Sequence, residues 1–277
     1  MSDTGAKRRI KLFAKGNVDV HDALVYSRVN GKIAWNGIND ALAELGYAAA
    51  ARVEHEVASR FDHVLIGTRP VPAEIVDKGL FRKPFTAEAQ FRTALFDTDA
   101  DAIILSIQPS VTNALLRHRR DGYLFFPSGA HEWSAEEKAW VRGRFERLPP
   151  QTPDEAMASL EGIVALLRQA GDRPILVLNM SFVVPSERVH RHLGADDSVS
   201  TRIRRFNLAL LELASRAPIS VVDVDDVIAR MGAARVKLDT LRYRAAGYRA
   251  IAEAVVRVLA DYGLLRPAVS ESDAATP

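Results

Sequence analysis

The chain has 277 residues, of which 48% are hydrophobic, and a chain of this size can bury one sizeable core. Lysine and arginine number 37 against 35 aspartates and glutamates, so the net charge of +2 indicates neither a nucleic-acid-binding surface nor an acidic tail. The lack of cysteine excludes disulfides, thiolate metal sites and a cysteine nucleophile.

Short apolar runs alternate with helical patterns along the chain. The runs predict strands at residues 10–14, 52–57, 102–107, 175–179 and 220–224. Helices are predicted at residues 22–28, 38–45, 87–95, 134–148, 153–170, 199–215 and 246–262. Because strands that alternate with helices form βαβ units, the predicted fold class is α/β, with a single doubly wound, flavodoxin-like parallel sheet and helices on both faces.

A single domain is predicted over residues 10–265. Residues 1–9 are expected to form a flexible N-terminus, and residues 266–277, which are small, polar and acidic, a disordered tail. The aromatic-rich stretch 122–146 is predicted to be an insertion over the carboxyl edge of the sheet. No apolar run approaches the ~20 residues of a membrane span. No long apolar region follows the basic start either, so we expect a cytoplasmic protein without a membrane partner.

The first candidate site segment follows the first predicted strand, since ligands of open α/β sheets bind beyond the carboxyl ends of the strands. Gly16 permits a tight exit from the strand, and Asp22 is predicted to cap the next helix. The N–H groups at that helix start could hold a ligand oxygen, with Gly16, Asn17, Asp19 and Asp22 as binding residues. The alternative is a plain turn in which Asp19, His21 and Asp22 only cap and solvate the chain.

Two motifs at opposite ends of the chain resemble one enzyme family. The first strand ends in Gly16-Asn17-Val18, and Asp239-Thr240-Leu241-Arg242 stands shortly before a helix that opens with Gly247-Tyr248. This layout resembles the SGNH (GDSL-type) hydrolases, in which a strand ends in Gly-Asp-Ser with a nucleophilic serine and a late Asp-x-x-His supplies the base. The resemblance implies the SGNH fold and one site shared by both motifs. However, Val18 stands at the serine position and Arg242 at the histidine position.

The substituted late motif leaves several roles open. In the family the aspartate orients the histidine, which implies a catalytic role for Asp239. Arginine keeps its proton near neutral pH, so Arg242 cannot act as the base. It either clamps a carboxylate or phosphate of a ligand or pairs with Asp239 in a structural role. The remaining candidate base is His21, assisted by Asp19, Asp22 or Asp239.

A further candidate segment, residues 106–113, follows the third predicted strand. SGNH hydrolases carry Gly-x-Asn at this place, and its asparagine amide helps to form the oxyanion hole. The resemblance therefore implies that Gln108 supplies an amide donor to the substrate, with Ser110 as a neighbouring contact. A loop without a ligand-binding role is the alternative. The literal Gly37-Ile38-Asn39-Asp40 does not follow a long apolar strand, and we interpret it as a helix start.

No metal site and no cofactor are predicted. His190 and His192 are two residues apart, but no carboxylate motif at ligand spacing accompanies them. The sequence contains no Walker loop, no Gly-x-Gly-x-x-Gly after the first strand and no His-Glu-x-x-His. The loop with Ser181, Ser186, His190 and His192 could instead supply a substitute serine or histidine.

Three functional hypotheses remain. The first is a divergent SGNH-like protein that binds a small polar or acylated ligand, glycan-derived in one version, without a serine nucleophile. The second is an active esterase or acyltransferase in which His21 and a nearby carboxylate activate water or an acceptor hydroxyl. The third is a non-catalytic interaction protein that docks through the aromatic residues between Tyr123 and Trp133.

Overall fold

The computed structural model describes residues 8–185, 187 and 197–267. Its strands are β1 (Arg8–Lys15), β2 (Ser27–Val29), β3 (Lys32–Trp35), β4 (Ala49–Glu56), β5 (Ala102–Ser106), β6 (Leu116–His118), β7 (Leu124–Phe125), β8 (Phe145–Arg147), β9 (Ile175–Leu178) and β10 (Ser220–Val222). Its α-helices are α1 (Val18–Leu24), α2 (Ile38–Glu44), α3 (Phe61–Leu65), α4 (Ala73–Asp77), α5 (Ala87–Phe91), α6 (Gln108–Thr112), α7 (Ala135–Arg144), α8 (Pro153–Ala170), α9 (Val199–Ala214), α10 (Val224–Arg230), α11 (Ala233–Val236) and α12 (Ala245–Asp261).

Five parallel strands form the central sheet, in the order β10-β9-β5-β1-β4. The chain runs from β1 outward to β4, then passes β1 again on its way to β5, β9 and β10. This is the winding of a flavodoxin-like sheet. The five predicted strands are these five, each within a few residues of its predicted bounds. The α/β fold class and its doubly wound sheet are confirmed.

Strand β5 shows how the sheet is buried on both faces. All five of its residues are buried. Ile104 packs in a hydrophobic cluster with α2 and α12, whereas its neighbour Ile103 packs in a second cluster with α8 and α9. Successive side chains of a strand point to opposite faces, so a continuous apolar run requires cover on both. The predicted helices provide that cover.

The first helix begins earlier than predicted. It covers Val18–Leu24 instead of residues 22–28, so Asp22 lies inside the helix and does not cap it. The carboxylate of Asp19 accepts a hydrogen bond from the N–H of Asn17 at 3.2 Å. The helix therefore has no side-chain cap, and Asp19 instead holds the backbone of Asn17, the residue that precedes the first turn.

A short hairpin replaces the end of that predicted helix. Strands β2 and β3 pair antiparallel, and Asn30 and Gly31 between them have positive φ angles of 51° and 78°. An Asn-Gly turn with two positive φ angles is the type I′ turn that two-residue hairpins prefer. The chain therefore leaves the helical conformation before Ser27.

The aromatic-rich stretch forms a small antiparallel sheet, in which β6 pairs with both β7 and β8. Phe125, Trp133 and Phe145 pack with Phe91 in a separate hydrophobic cluster. Phe125 and Trp133 are buried, so these aromatic side chains stabilise the stretch itself. This packing argues against a docking surface made of the same rings.

Two residues at the inner end of each predicted terminal segment contact the central sheet or the loop before it. Arg8 and Arg9 belong to β1, Arg266 accepts a backbone hydrogen bond from Ala48, and Pro267 forms a bridge with Tyr47. The rest of the segments 1–9 and 266–277 lies outside the described residues.

Within the part of the chain that is described, no helix is long and apolar enough to cross a membrane. The single domain over residues 10–265 stays a prediction.

Candidate active site

A cleft of about 560 Å³ lies beyond the carboxyl ends of β1, β4 and β5, a volume typical of small-molecule sites. It is lined by Asn17, Val18, His21, Asp22, His55, Val57, Pro84, Phe85, Gln108, Asn113, Phe126, Ser128 and Leu241. The segment after β1, the segment after β5 and the turn before α12 thus meet in one cleft. Phe126 and Ser128 of the aromatic-rich stretch contribute part of its wall.

Gly16 allows the end of β1 to approach α1 and β5 closely. A Cβ atom on Gly16 would lie 2.4 Å from Cγ2 of Val20 and 3.2 Å from Cβ of Ser106. Carbon atoms in contact prefer roughly 3.5–4.0 Å, so no larger residue fits without a shift. Gly16 does not line the cleft, but its carbonyl oxygen lies 3.0 Å from Nε2 of His55, which does.

We expect Gly16→Ala to lower the free energy of unfolding by about 1–3 kcal/mol, the usual cost of an overpacked site. Urea unfolding followed by circular dichroism measures the change. Gly143→Ala in α7 is the matched control, because nothing lies within 4 Å of a Cβ atom added there. An equal unfolding midpoint for Gly16→Ala and the unchanged protein would contradict the close approach.

Asp19 lies beneath the cleft and is buried. Its carboxylate accepts hydrogen bonds from Oγ of Ser106 at 2.5 Å and from the N–H of Asn17 at 3.2 Å. Burial raises the pKa of Asp19, and the hydrogen bond from Ser106 partly opposes that rise. The carboxylate thus takes up the N–H of Asn17, next to the helix start where a ligand oxygen was expected. Asp19 thus supports the turn and does not line the cleft.

His21 and Asp22 form a pair on the cleft wall. Nδ1 of His21 lies 2.8 Å from Oδ1 of Asp22. The His21 ring also contacts the rings of Tyr26 and His55, with centroid separations of 4.9 and 5.2 Å. Its Nδ1 proton points to the carboxylate, which leaves Nε2 as an acceptor with no hydrogen bond to any described residue. Of the three carboxylates predicted to assist His21, Asp22 makes the contact.

The sequence analysis missed His55, the last residue but one of β4. It lines the cleft beside His21, and its Nε2 lies 3.0 Å from the carbonyl oxygen of Gly16. Burial, with a smaller contribution from the nearby charge of His21, lowers the pKa of His55 to about 4. His55 is therefore neutral at neutral pH, with Nε2–H donating to Gly16. A histidine at the carboxyl end of a predicted strand was the one available signal.

The segment after β5 places its residues at different depths. Gln108 and Asn113 line the cleft, and the N–H of Gln108 donates to Oγ of Ser106 at 3.0 Å. Ser110 lies away from the cleft, where its hydroxyl accepts a hydrogen bond from the N–H of Phe61 at 2.9 Å. Ser110 therefore anchors the start of α3. Asn113 is a second residue that the sequence analysis did not single out.

Asp239 and Arg242 pair with each other. Oδ2 of Asp239 lies 2.7 Å from Nε and 2.6 Å from Nη2 of Arg242, and Oδ1 accepts the N–H groups of Leu241 and Arg242 at 2.8 Å each. Burial favours a raised pKa for Asp239, but the hydrogen bonds from Arg242 and the backbone hold the pKa below its ordinary value. The pair holds the turn that presents Leu241 to the cleft. Neither charged side chain lines the cleft.

Lys237 supports the same turn from inside the protein. Its Nζ donates to the carbonyl of Ser181 at 2.9 Å, and burial lowers the pKa of Lys237 to about 8. Ser181 is buried, and its hydroxyl has no hydrogen-bond partner among the described residues. It does not line the cleft. The other proposed substitutes, Ser186, His190 and His192, lie outside the described residues.

One cluster of the described residues, Glu74, His118 and Asp121, has ligand atoms close enough for a metal ion. However, Nε2 of His118 lies 3.3 Å from Oε1 of Glu74, and Nδ1 accepts the N–H of Asp121 at 3.1 Å. The ring also stacks on Tyr123. Because both ring nitrogens are engaged, no lone pair remains for a metal ion. The cluster ties the aromatic-rich stretch to α4, away from the cleft.

A second, smaller cavity of about 20 Å³ lies behind the cleft wall and shares Val57 and Phe85 with it. Its volume suits one water molecule. Lys15, Ser59 and His63 also line it, and Oγ of Ser59 hydrogen-bonds Nδ1 of His63. Burial lowers the pKa of His63 to about 3, and the positive charges of Arg69, Lys15 and Arg60 contribute.

Several solved structures of other proteins are similar to the fold of this chain. No family model and no curated protein matches the chain. An alpha/beta hydrolase enzyme from the metagenome of Lake Arreo, Spain, is 16% identical, with a TM-score of 0.51 over 95% of this chain and 100% of that one. A member of the lipolytic G-D-S-L family from Veillonella parvula is 11% identical, with a TM-score of 0.47 over 90% and 98%. An acetylxylan esterase from Geobacillus stearothermophilus is 12% identical, with a TM-score of 0.49 over 91% and 95%.

The fold is that of an α/β hydrolase, with its cleft at the carboxyl edge of a five-stranded parallel sheet. The parallel sheet and this similarity confirm the α/β fold class that accompanies the resemblance of Gly16-Asn17-Val18 and Asp239-Thr240-Leu241-Arg242. At this level of identity the similarity establishes the fold alone.

Proposed function

We propose that the protein binds a small acylated ligand in the cleft and transfers its acyl group without a covalent serine intermediate. His21, oriented by Asp22, acts as the general base. The hydrogen bond between Nδ1 of His21 and Oδ1 of Asp22, on the cleft wall, carries this proposal. A histidine oriented by a carboxylate in this way can take a proton through its other nitrogen.

The reaction proceeds by direct attack on the acyl carbonyl. Nε2 of His21 takes a proton from water or from an acceptor hydroxyl while the oxygen forms a bond to the carbonyl carbon. The tetrahedral intermediate then expels the leaving alcohol, which receives that proton from His21. Hydrolysis and acyl transfer differ only in whether water or an alcohol attacks. No metal ion and no cofactor take part.

Asn17 supplies a donor for the carbonyl oxygen. Its Oδ1 accepts a hydrogen bond from the N–H of Ala58 at 3.2 Å, which fixes the orientation of the amide. The Nδ2 group is then left to donate, and Asn17 lines the cleft. Donors that are already oriented stabilise a developing oxyanion without reorganisation. Asn17 therefore takes the oxyanion role that the resemblance assigned to Gln108.

The remaining cleft wall suits an acyl group. Val18, Pro84, Phe85, Phe126 and Leu241 supply an apolar surface next to the polar groups. The rings of Phe85 and Phe126 meet edge to face, with a centroid separation of 4.9 Å. Val18, at the position of the family's serine, extends this surface. The chemistry of the wall therefore favours an acyl chain or an aromatic acyl group with its carbonyl near His21.

The pair Ser59 and His63 is the rival candidate for nucleophilic catalysis, because the serine hydroxyl hydrogen-bonds the histidine. Both residues are buried, and Val57 and Phe85 stand between their cavity and the cleft. A histidine with its pKa lowered to about 3 is a poor base at neutral pH. These features favour a structural role for the pair.

A serine-directed fluorophosphonate probe separates the two mechanisms. We expect hydrolysis of 4-nitrophenyl acetate, butyrate or hexanoate above the rate in buffer, with no serine labelled in the intact protein by mass spectrometry. Stoichiometric labelling of any serine, Ser59 included, would establish a covalent route instead. If the protein hydrolyses none of the three esters, its function is ligand binding alone and His21 has no catalytic role.

A further inference from the structure

Two side chains of the cleft wall each carry a polar atom without a partner. Among the described residues, none hydrogen-bonds Oε1 of Gln108 or Nδ2 of Asn113, and both atoms are shielded from solvent. Gln108 is 1% exposed and Asn113 is 9% exposed, and both line the cleft. A buried polar atom without a partner costs free energy, so a ligand that satisfies it gains affinity.

Thr112 fixes the other polar atoms of the same two side chains. Nε2 of Gln108 donates to Oγ1 of Thr112 at 2.6 Å, and this hydroxyl donates to the Gln108 carbonyl at 3.0 Å. The hydroxyl also lies 3.3 Å from Oδ1 of Asn113. Because the single Thr112 proton is directed to the nearer oxygen, the Gln108 carbonyl, Gln108 must present its amide nitrogen to Thr112. One unpaired acceptor and one unpaired donor therefore flank Thr112 in the cleft wall.

We propose that the cleft recognises a secondary amide, so that its ligand carries an N-acyl amide in addition to the ester that is cleaved. Oε1 of Gln108 accepts the amide N–H, and Nδ2 of Asn113 donates to the amide carbonyl. The inference rests on the proposed binding of an acylated ligand and narrows its class. The amide is recognised and not cleaved.

A ketone that replaces the amide N–H by CH₂ isolates the Gln108 contact. It keeps the carbonyl for Asn113 but leaves Oε1 of Gln108 buried against the ligand without a donor. Loss of one such partner in a desolvated site weakens binding by about tenfold. The ratio of the two dissociation constants therefore reports on Gln108, whereas the affinity for both compounds reports on Asn113.

Isothermal titration calorimetry on the full chain compares N-benzylbutanamide with 1-phenylhexan-3-one. We expect the amide to bind about tenfold tighter than the ketone. Gln108→Met keeps the length of the side chain without the acceptor, and should reduce the ratio to about one. Asn113→Leu should weaken the binding of both compounds by the same factor. The matched control is Gln151→Met, because Gln151 is also buried with Oε1 unpaired but does not line the cleft.

A ratio near one in the unchanged protein, no binding of either compound, or an amide preference that survives Gln108→Met would each overturn the amide inference. None of these results bears on the role of His21, which is read from ester turnover. An amide preference in a protein without ester turnover would instead overturn the proposed catalysis and keep the recognition. A preserved ratio in Gln151→Met shows that the substitution itself does not remove the preference.

Discussion

His21→Ala is expected to lower kcat/KM for ester hydrolysis by about 100-fold or more, the usual contribution of a positioned general base. Without the imidazole, the cleft wall loses the group that takes the proton of the attacking water in the proposed mechanism. Asp22→Asn should lower the same constant less, because His21 remains but loses the carboxylate that orients its Nδ1 proton. Steady-state hydrolysis of 4-nitrophenyl butyrate measures both changes.

The control for this experiment is His131→Ala. His131 lies in a 3₁₀ turn at Ala130–Glu132, its side chain is 83% exposed, and it does not line the cleft. We expect kcat/KM of His131→Ala to stay within about twofold of that of the unchanged protein, because substitutions at exposed positions have small effects. If His21→Ala retained comparable activity, another base would be at work, and His55 would be the nearest imidazole.

The central sheet could be predicted because its strands carry a purely local signal. Ala102–Ser106 and Ile175–Leu178 are apolar nearly throughout, since helices cover them on both faces. Such runs need no knowledge of their neighbours to be recognised. The long helix Pro153–Ala170 was likewise predicted at its exact bounds, with Thr152 as its cap and proline at its first position.

The small sheets could not be predicted in this way. Leu116–His118, Leu124–Phe125 and Phe145–Arg147 are two or three residues long, too short for a periodic pattern. Their conformation depends on antiparallel partners up to 31 residues away along the chain, as in the pairing of Leu116 with Arg147. Pairing over such distances is a property of the fold and not of the local sequence.

For the site too, the features that follow from the local sequence could be predicted, and the contacts between distant residues could not. The convergence of three segments followed from the rule that strand ends share one edge, and the cleft joins all three. His55 was missed because its place depends on the register of β4 against β1, where it stands opposite Ala14. The role expected of Asp19 changed because its carboxylate folds back onto Asn17. Neither contact leaves a motif in the sequence.

His63→Gln is expected to make the protein less sensitive to acid. The pKa of His63 is lowered from 6.5 to about 3 by burial, with help from nearby positive charges. Below pH 6.5 the unfolded chain binds a proton at this position and the folded protein does not, so the free energy of unfolding falls as the pH falls. At pH 5 this single histidine lowers the free energy of unfolding by about 2 kcal/mol relative to pH 7.5. Most of that cost disappears in His63→Gln.

Urea unfolding at pH 7.5 and pH 5.0 measures the difference, and the quantity compared is the loss between the two pH values in each protein. The pKa of His55 is lowered to about 4, mainly by burial, so His55→Gln should remove a further loss of about 2 kcal/mol at pH 5. Asp19 acts in the opposite direction, because burial raises its pKa and acid removes its charge. It is present in every protein compared, and its contribution cancels. An equal loss in His63→Gln and the unchanged protein would mean that His63 is accessible to protons in the folded state, which would restore it as a possible base for Ser59.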